Sequence, residues 1–507
     1  MKVLLAGYNL DVETVNEIKN FIRRFLDVAD DNQLSSDKLP LLLEEAKELV
    51  ERDNFTPETI SAAYARISRN PKPVNELREI ARKEVNKARK SNQNIIFGLG
   101  HSSVAEHATF NFDIIGVSRL AVETIEHFRL ASYTEKSQRY ILFKDDYVIP
   151  KELEDKNLQK NYIDTIKLQN DTYFKLYEIL RPYFFEKNAA LAENPKNTKM
   201  IEGWAKEDAR YIISLATQTQ LGMTVNARTL ENMISKSFAS SNSEIREFAL
   251  ALYNSCDGIA PSIVKYYQPS DYLKFKEKDI HNAVSQIPEL PQSRKLDNTN
   301  DVLLLDYPDE IDQKIIAHIL FRSGNFDYLE AEKTAKSLDA KQQVEIFSAV
   351  FKNINAWDSV IREFEFIYFT FQFVVSAGNF GQLKRHRMSN IISQNYDINL
   401  GITIPESIKA TGQTQLFKDV IEKTNATYLE LQKYNSVAAN YILTNAHRRR
   451  VLFKINLREL YHFIRLRADA HAQWDIRNTA IKMHDLVKEK MPLAGSLLAG
   501  KDKFKNE

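Results

Sequence analysis

One cysteine, Cys256, stands among 507 residues. That excludes an intrachain disulfide and any metal centre built on several thiolates. Its flanks, LYNSCDGIA, predict a helix end holding a small buried or half-buried thiol. Glycine and proline are scarce, 14 of each, which argues for long helices and few tight turns. No apolar run approaches the roughly 18 residues that span a bilayer. The opening MKVLLAGYNLD is too short for a signal segment and carries no cleavage-like site. Charge of one sign is lacking too: 69 Lys and Arg face 68 Asp and Glu, a net +1. No global field steers the chain to nucleic acid or a membrane, so any anion site must be local. The expectation is a soluble, cytoplasmic protein with neither partner. At 43% hydrophobic and 27% charged, its composition is that of a globular protein, long enough for two or more domains.

What the chain does have is a pattern written twice. Residues 1–90 read mostly as helices, LPLLLEEAKELVE among them. FNFDI then alternates as a half-buried strand, followed by HFR and by YVIPKEL, a short strand ending at Pro150. Residues 153–190 and 205–267 read as helix. From about Lys274 to Asn300 the pattern fails, and IPELPQSRKLDNTND reads as a linker. The order then restarts: VLLLDYPDEID as strand and turn, FIYFTFQFVV as strand, RHR, ITIPESI as a short strand, then helix. TVNARTLENMI and KINLRELYHFI correspond in the same way. Four anchors in register predict a duplicated unit of about 220–280 residues, hence two homologous α/β (α+β) domains in one chain.

Chemistry gathers at three stretches. GQLKRHRMSNIISQN places Arg385, His386 and Arg387 side by side, where a merely soluble surface would intersperse acids. EHFRLASYTEKSQRY begins in a weakened form of it (His127, Phe128, Arg129) and ends more richly. In NLRELYHFIRLRADAHAQWDI, Arg458, His462 and Arg465 share one helical face at i, i+4, i+7. A solvated face is the bland reading. Three cations there, with Arg467, instead suit a bound anion, since Arg holds phosphate in bidentate geometry. No metal is expected: His101, Glu106 and His107 lack a third ligand at suitable spacing, and no HExxH occurs. Nor does a GxSxG elbow, a Walker loop or a full GxGxxG. HRRR, His447 to Arg450, reads as a solvated helix turn.

GHSSVAEHATFNF, SYTEKSQRY, RHR and NLRELYHFIRLRADAHAQWDI together resemble the flavin-dependent thymidylate synthases. The resemblance covers roughly 60–270 and 300–495 and implies two domains of that family, each a mainly antiparallel sheet with packed long helices. The division expected is an extension of open role at 1–55, a first repeat at 56–275, a linker at 276–300 and a second repeat at 301–507. The implied reaction methylates dUMP to dTMP, with FAD as cofactor and methylenetetrahydrofolate and NADPH as co-substrates. The family's substrate site lies between subunits of a homotetramer, so two such chains are expected to form a homodimer that mimics it.

The departures from the family pattern divide between the repeats. The second repeat keeps Gln382, Arg385 and Arg467, where the first has Thr124, His127 and Ser237. The first keeps Glu135, Ser137, Arg139 and Arg210, where the second has Ser393, Asn395, Asp397 and Asn440. The resemblance makes these seven retained residues the dUMP set. It gives Arg467 the catalytic role of stabilising negative charge developing on the uracil ring. It assigns FAD to Ser103, Glu106, Arg385, His386, Arg387, Asn456, Arg458 and His462. Complementary losses imply one complete composite site per chain and a stripped reciprocal one. A decayed flavin- or nucleotide-binding protein, or an enzyme modifying C5 of another pyrimidine nucleotide, stand as alternatives.

Overall fold

The computed structural model describes residues 1–30, 38–137, 139, 141, 146–288 and 301–504. Two compact units divide the chain: Met1–Ser137, Asp146–Asp155 and Ala216–Leu290 in one, and Gln138–Asp145, Lys156–Leu215 and Pro291–Glu507 in the other. Each holds a four-stranded antiparallel sheet with helices packed on it, the mixed architecture the duplication implies.

In the first unit, β1 (Lys2–Tyr8), β2 (Thr109–Ser118), β3 (Ala131–Glu135) and β4 (Gln218–Asn226) lie in the order β1-β2-β4-β3. Alternation sets the faces. Phe110, Phe112 and Ile114 of β2 are buried opposite Val225, Met223 and Leu221 of β4. The ladder slips one residue between Ile115 and Val117, and the extra residue, Gly116, has φ +74°, a bulge conformation that glycine adopts without strain. Helices Ala227–Phe238 and Ser243–Cys256 cover the apolar face with Leu230, Met233, Ile234, Phe248 and Leu252. Cys256 ends the second of these, buried, and burial pushes its thiol up to about 12.

In the second unit, β5 (Val302–Asp306), β6 (Tyr368–Ser376), β7 (Asn390–Ser393) and β8 (Arg448–Asn456) repeat the order as β5-β6-β8-β7. Phe369, Phe371 and Phe373 of β6 face Ile455, Phe453 and Val451 of β8, all buried. Helices Leu457–Arg467 and Trp474–Lys488 follow β8. The helices between β3 and β4 also belong to this second unit. Helix Lys156–Lys187 packs along Thr414–Tyr434, with Tyr173, Leu176 and Leu180 against Phe417, Val420 and Ile421. Buried polar groups fix their register: Gln169 Nε2 donates to Thr424 Oγ1 at 2.8 Å and to the Ile442 carbonyl at 3.0 Å. The duplicated turns 210–212 and 440–442 lead into segments that pair with each other, Leu215 N–H to Leu443 O at 2.7 Å and Asn445 N–H to Ile213 O at 3.1 Å.

Several sequence expectations need correction. The first 90 residues are not only helical, because Lys2–Tyr8 forms the edge strand β1 on β2. Residues 205–267 contain β4, whose buried Leu221, Met223 and Val225 alternate with exposed residues. The tail after ITIPESI contains β8. YVIPKEL and ITIPESI reach only single bridges, Tyr147 to Thr217 and Ile402 to His447, since each proline removes a ladder donor. HRRR is no solvated turn: His447 is fully buried, and Arg449 lies in β8 with its guanidinium over the rings of Tyr396 (4.2 Å) and Phe380 (4.5 Å). The loss of pattern expected from Lys274 begins inside a helix, Asp271–Ser285, capped by Ser270 and with no buried residue. Residues 289–300 lie outside the described residues.

Candidate functional site: arginines around a buried histidine

β6 runs into the short helix Ala377–Leu383, capped by Ser376, and the RHR triplet follows at once. Arg385 and Arg387 are exposed, while His386 turns inward and is 4% exposed. Its Nε2 accepts a hydrogen bond from Arg467 Nε at 3.0 Å, and its Nδ1 lies 3.3 Å from Glu459 Oε1. Guanidinium can only donate, so the imidazole proton sits on Nδ1, facing the carboxylate. Burial, followed by the charges of Arg467 and His462, holds this imidazole well below its ordinary range, hence neutral. Burial also raises the Glu459 carboxyl, against the pull of His462 and Arg458. Possible ligand atoms of His386, Glu459 and His462 lie within 4.8 Å of one another. Both ring nitrogens of His386 already serve Arg467 and Glu459.

Arg467 ends helix Leu457–Arg467, half-buried. Burial foremost, then the nearby charges of Arg385 and Arg139, together lower its guanidinium to about 10. It remains cationic at neutral pH. Positive charge from Arg139, Arg385 and Arg467 thus gathers near one partly buried point, an arrangement that suits an anion. Arg139 comes from the first repeat, yet belongs to this second unit and pairs with buried Glu207. Arg210, 6% exposed, follows helix Thr198–Ala209, and its carbonyl accepts from Asn445 Nδ2 at 2.9 Å. Gln382, one turn before Arg385, donates through Nε2 to Gln473 Oε1 at 3.2 Å. The second unit thus holds Arg139, Arg210, Gln382, Arg385 and Arg467.

The other sequence-derived residues divide as follows. Ser103, Glu106, Glu135 and Ser137 lie in the first unit. There Glu106 pairs with Arg228 at 2.6 Å, and Glu135 receives two bonds from Arg119 at 3.1 Å. Arg458 makes the matching pair in the second unit, 2.7 Å from Glu365, and also donates to the Val360 carbonyl at 2.9 Å. Asn456 caps its helix by accepting from Glu459 N–H at 2.9 Å, as Asn226 does from Thr229 N–H at 2.8 Å. His462 is exposed. Arg465 leaves the cationic face expected of it: it is buried, donates to the Asp358 carbonyl and lies over the Phe504 ring at 4.5 Å. Glu459, overlooked as an acid on this helix, supplies the counter-charge. Its signal was the Asn-x-x-Glu spacing from Asn456 that marks a helix start.

Asp208 was also overlooked. It is buried, accepts from Trp474 Nε1 at 2.7 Å and from the Ser407 hydroxyl, and sits between Glu207 and Arg210 in sequence. Burial foremost, helped by Glu207 and opposed by Ser407, Trp474 and Arg210, raises its carboxyl to about 7. The folded value lies above the ordinary one, so the fold favours the protonated form. Its contribution is complete below about pH 4 and is lost as pH rises through about 7. Asp208→Asn keeps an acceptor for Trp474 without the charge. Urea titrations at pH 5 and pH 9 should show the wild type losing stability relative to this variant, by on the order of 3 kcal/mol at most. Parallel curves for the two proteins would contradict this.

The family model described as thymidylate synthase complementing protein matches residues 48–262 and 304–493, most of the chain and once in each repeat. A flavin-dependent thymidylate synthase from Clostridium tetani is 31% identical over 218 residues, covering 42% of this chain and 83% of its own length. The chain belongs to the flavin-dependent thymidylate synthase family, as a tandem member with two copies of the family domain. Longer relatives share that length: UPF0159 protein Ta1429 of Thermoplasma acidophilum is 26% identical over 438 residues, 79% of this chain and 86% of its own. A UPF0159 protein of Chlamydia pneumoniae is 24% identical over 413 residues, 78% of each. Among solved structures, a flavin-dependent thymidylate synthase from Helicobacter pylori complexed with FAD and dUMP is similar at 15% identity and a TM-score of 0.33, covering 53% of this chain and all of its own.

Proposed function

We propose that the chain methylates dUMP to dTMP, with FAD as cofactor and methylenetetrahydrofolate and NADPH as co-substrates, at one composite site per chain. The observation that carries this reading is the company Arg467 keeps. Its guanidinium lies in the fields of Arg385, from its own repeat, and of Arg139, from the other. Arg139 and Arg210 hold the nucleotide phosphate, with Ser137, in the charge-assisted geometry arginine favours. Glu135, Gln382 and Arg385 complete the substrate set, and Arg467 stabilises negative charge developing on the uracil ring.

The exposed cations Arg385 and Arg387, with His462 near neutral His386, suit a pyrophosphate, which is what a flavin dinucleotide brings to this family's RHR element. Asn456 and Arg458, with Ser103 and Glu106, complete that set. Bound flavin would supply hydride chemistry, and the chain offers no thiolate as a nucleophile, since Cys256 is buried and held protonated. The protein acts as a homodimer of tandem chains, which sedimentation under assay conditions checks.

The test is a product assay with dUMP, methylenetetrahydrofolate, FAD and NADPH. The reading predicts dTMP and dUMP-dependent NADPH oxidation. Bound FAD and dUMP with no dTMP would make the chain a decayed binding protein, and no retained flavin at saturating FAD would end the flavoenzyme reading.

A further inference from the structure

The side-chain amide of Gln473 can face only one way. Gln473 caps helix Trp474–Lys488, and its Oε1 accepts from the backbone N–H groups of Asp475 at 3.1 Å and Ile476 at 3.3 Å. Its Nε2 donates to the Tyr211 hydroxyl at 3.0 Å, which donates in turn to Asp475 Oδ2 at 2.9 Å. That carboxylate also accepts from Ser376 Oγ at 2.5 Å and Asn379 Nδ2 at 3.1 Å. Cap and carboxylate, at opposite ends of the chain of bonds, therefore impose one orientation on Gln473. Gln473 is fully buried, and Tyr211 stacks on Trp474 with ring centroids 5.4 Å apart. Tyr211 fits closely here because residue 378 is glycine: a Cβ built there would lie 3.1 Å from Tyr211 Cζ.

The consequence falls on Gln382. Its Nε2 donates to Gln473 Oε1 at 3.2 Å; turned over, its carbonyl oxygen would instead meet that oxygen. Gln382 Oε1 is thus directed away, has no partner among the described residues and is not among their buried unsatisfied atoms. We propose that Gln473 is a positioning residue that holds the Gln382 carbonyl oxygen toward the ligand. The ligand atom meeting Gln382 is then a hydrogen-bond donor, an imide N–H or a sugar hydroxyl, and not a phosphate oxygen. This rests on Gln382 being a substrate residue in the proposed reaction.

Calorimetry on the full chain tests it with dUMP, its N3-methyl derivative, its 3′-deoxy derivative and inorganic phosphate. The wild type should bind one donor-less analogue roughly tenfold or more weaker than dUMP, as expected for an acceptor left unpaired. Loss with the N3-methyl compound identifies the imide, and loss with the 3′-deoxy compound the hydroxyl. In Gln382→Leu and Gln473→Leu the penalty should shrink to about threefold or less. Gln473→Glu keeps both the cap and the acceptor for Gln382 Nε2, so the penalty should persist there. This variant and Gln382→Leu decide the matter even if Gln473→Leu does not fold. The inference is overturned if the penalty survives in Gln382→Leu, or if that variant weakens inorganic phosphate as much as dUMP. Absence of dUMP binding in the wild type overturns the functional reading and this inference together. dUMP binding without any analogue penalty overturns the inference alone.

Discussion

Arg467→Ala should lower kcat by roughly 10²–10³-fold, the cost of removing one donor aimed at charge that develops in the transition state. KM should change much less, because the proposed phosphate ligands are other arginines. Arg467 is prepared for this role by its surroundings. Burial and the neighbouring charges of Arg385 and Arg139 make its guanidinium a stronger acid than usual. Its Nε is held by His386 Nε2 at 3.0 Å, which fixes the plane of the group. Arg467→Lys keeps a charge but not the fork, so it should recover less than about a tenth of the lost rate. The same substitutions have a second readout. His386 is neutral partly because Arg467 faces it. In Arg467→Ala its imidazole should titrate at higher pH than in the wild type, visible by NMR. A loss of kcat with no movement of the His386 titration would contradict the coupling described here. A KM effect larger than the kcat effect would contradict the assigned role.

Arg139→Ala should weaken dUMP by about 2–5 kcal/mol, roughly thirtyfold at the least, because it removes one partner of a desolvated charge pair. It also leaves buried Glu207 without its arginine, so the local positive charge falls and an uncompensated carboxylate is left beside the phosphate. The matched position of the other repeat provides the control. Asp397 stands where Arg139 does, but its carboxylate caps a turn, accepting from Asn399 N–H at 2.8 Å. Asp397→Asn preserves that cap and should leave dUMP binding within about twofold. Steady-state kinetics and calorimetry on both variants check the asymmetry. Comparable losses would mean that both repeats bind substrate, and that the unequal retention of residues is not a division of labour.

The sequence made the duplication and the arginines legible for different reasons. Phe110 to Ile114 and Phe369 to Phe373 alternate strictly, so their strands could be read from period alone. RHR and NLRELYHF carry a family pattern. β1 was missed because seven residues at a chain start have no flanking punctuation, and only pairing with β2 defines them. HRRR misled because exposed and buried arginines look alike in sequence, and the rings of Phe380 and Tyr396 that cover Arg449 are distant along the chain. The same distance hid the network behind the site. Gln473, Tyr211 and Asp475 meet across more than 260 positions, 211 to 473 and 475. Glu459 was closer to hand, but its role depends on His386 turning inward.

The central claim is one substrate site per chain, assembled from the residues that each repeat has kept and the other has lost. Calorimetric titration of the FAD-loaded protein with dUMP measures it directly. Saturation at one dUMP per chain is expected, with affinity weakened at least roughly thirtyfold in Arg139→Ala and unchanged within about twofold in Asp397→Asn. Two equivalent dUMP sites per chain would contradict it.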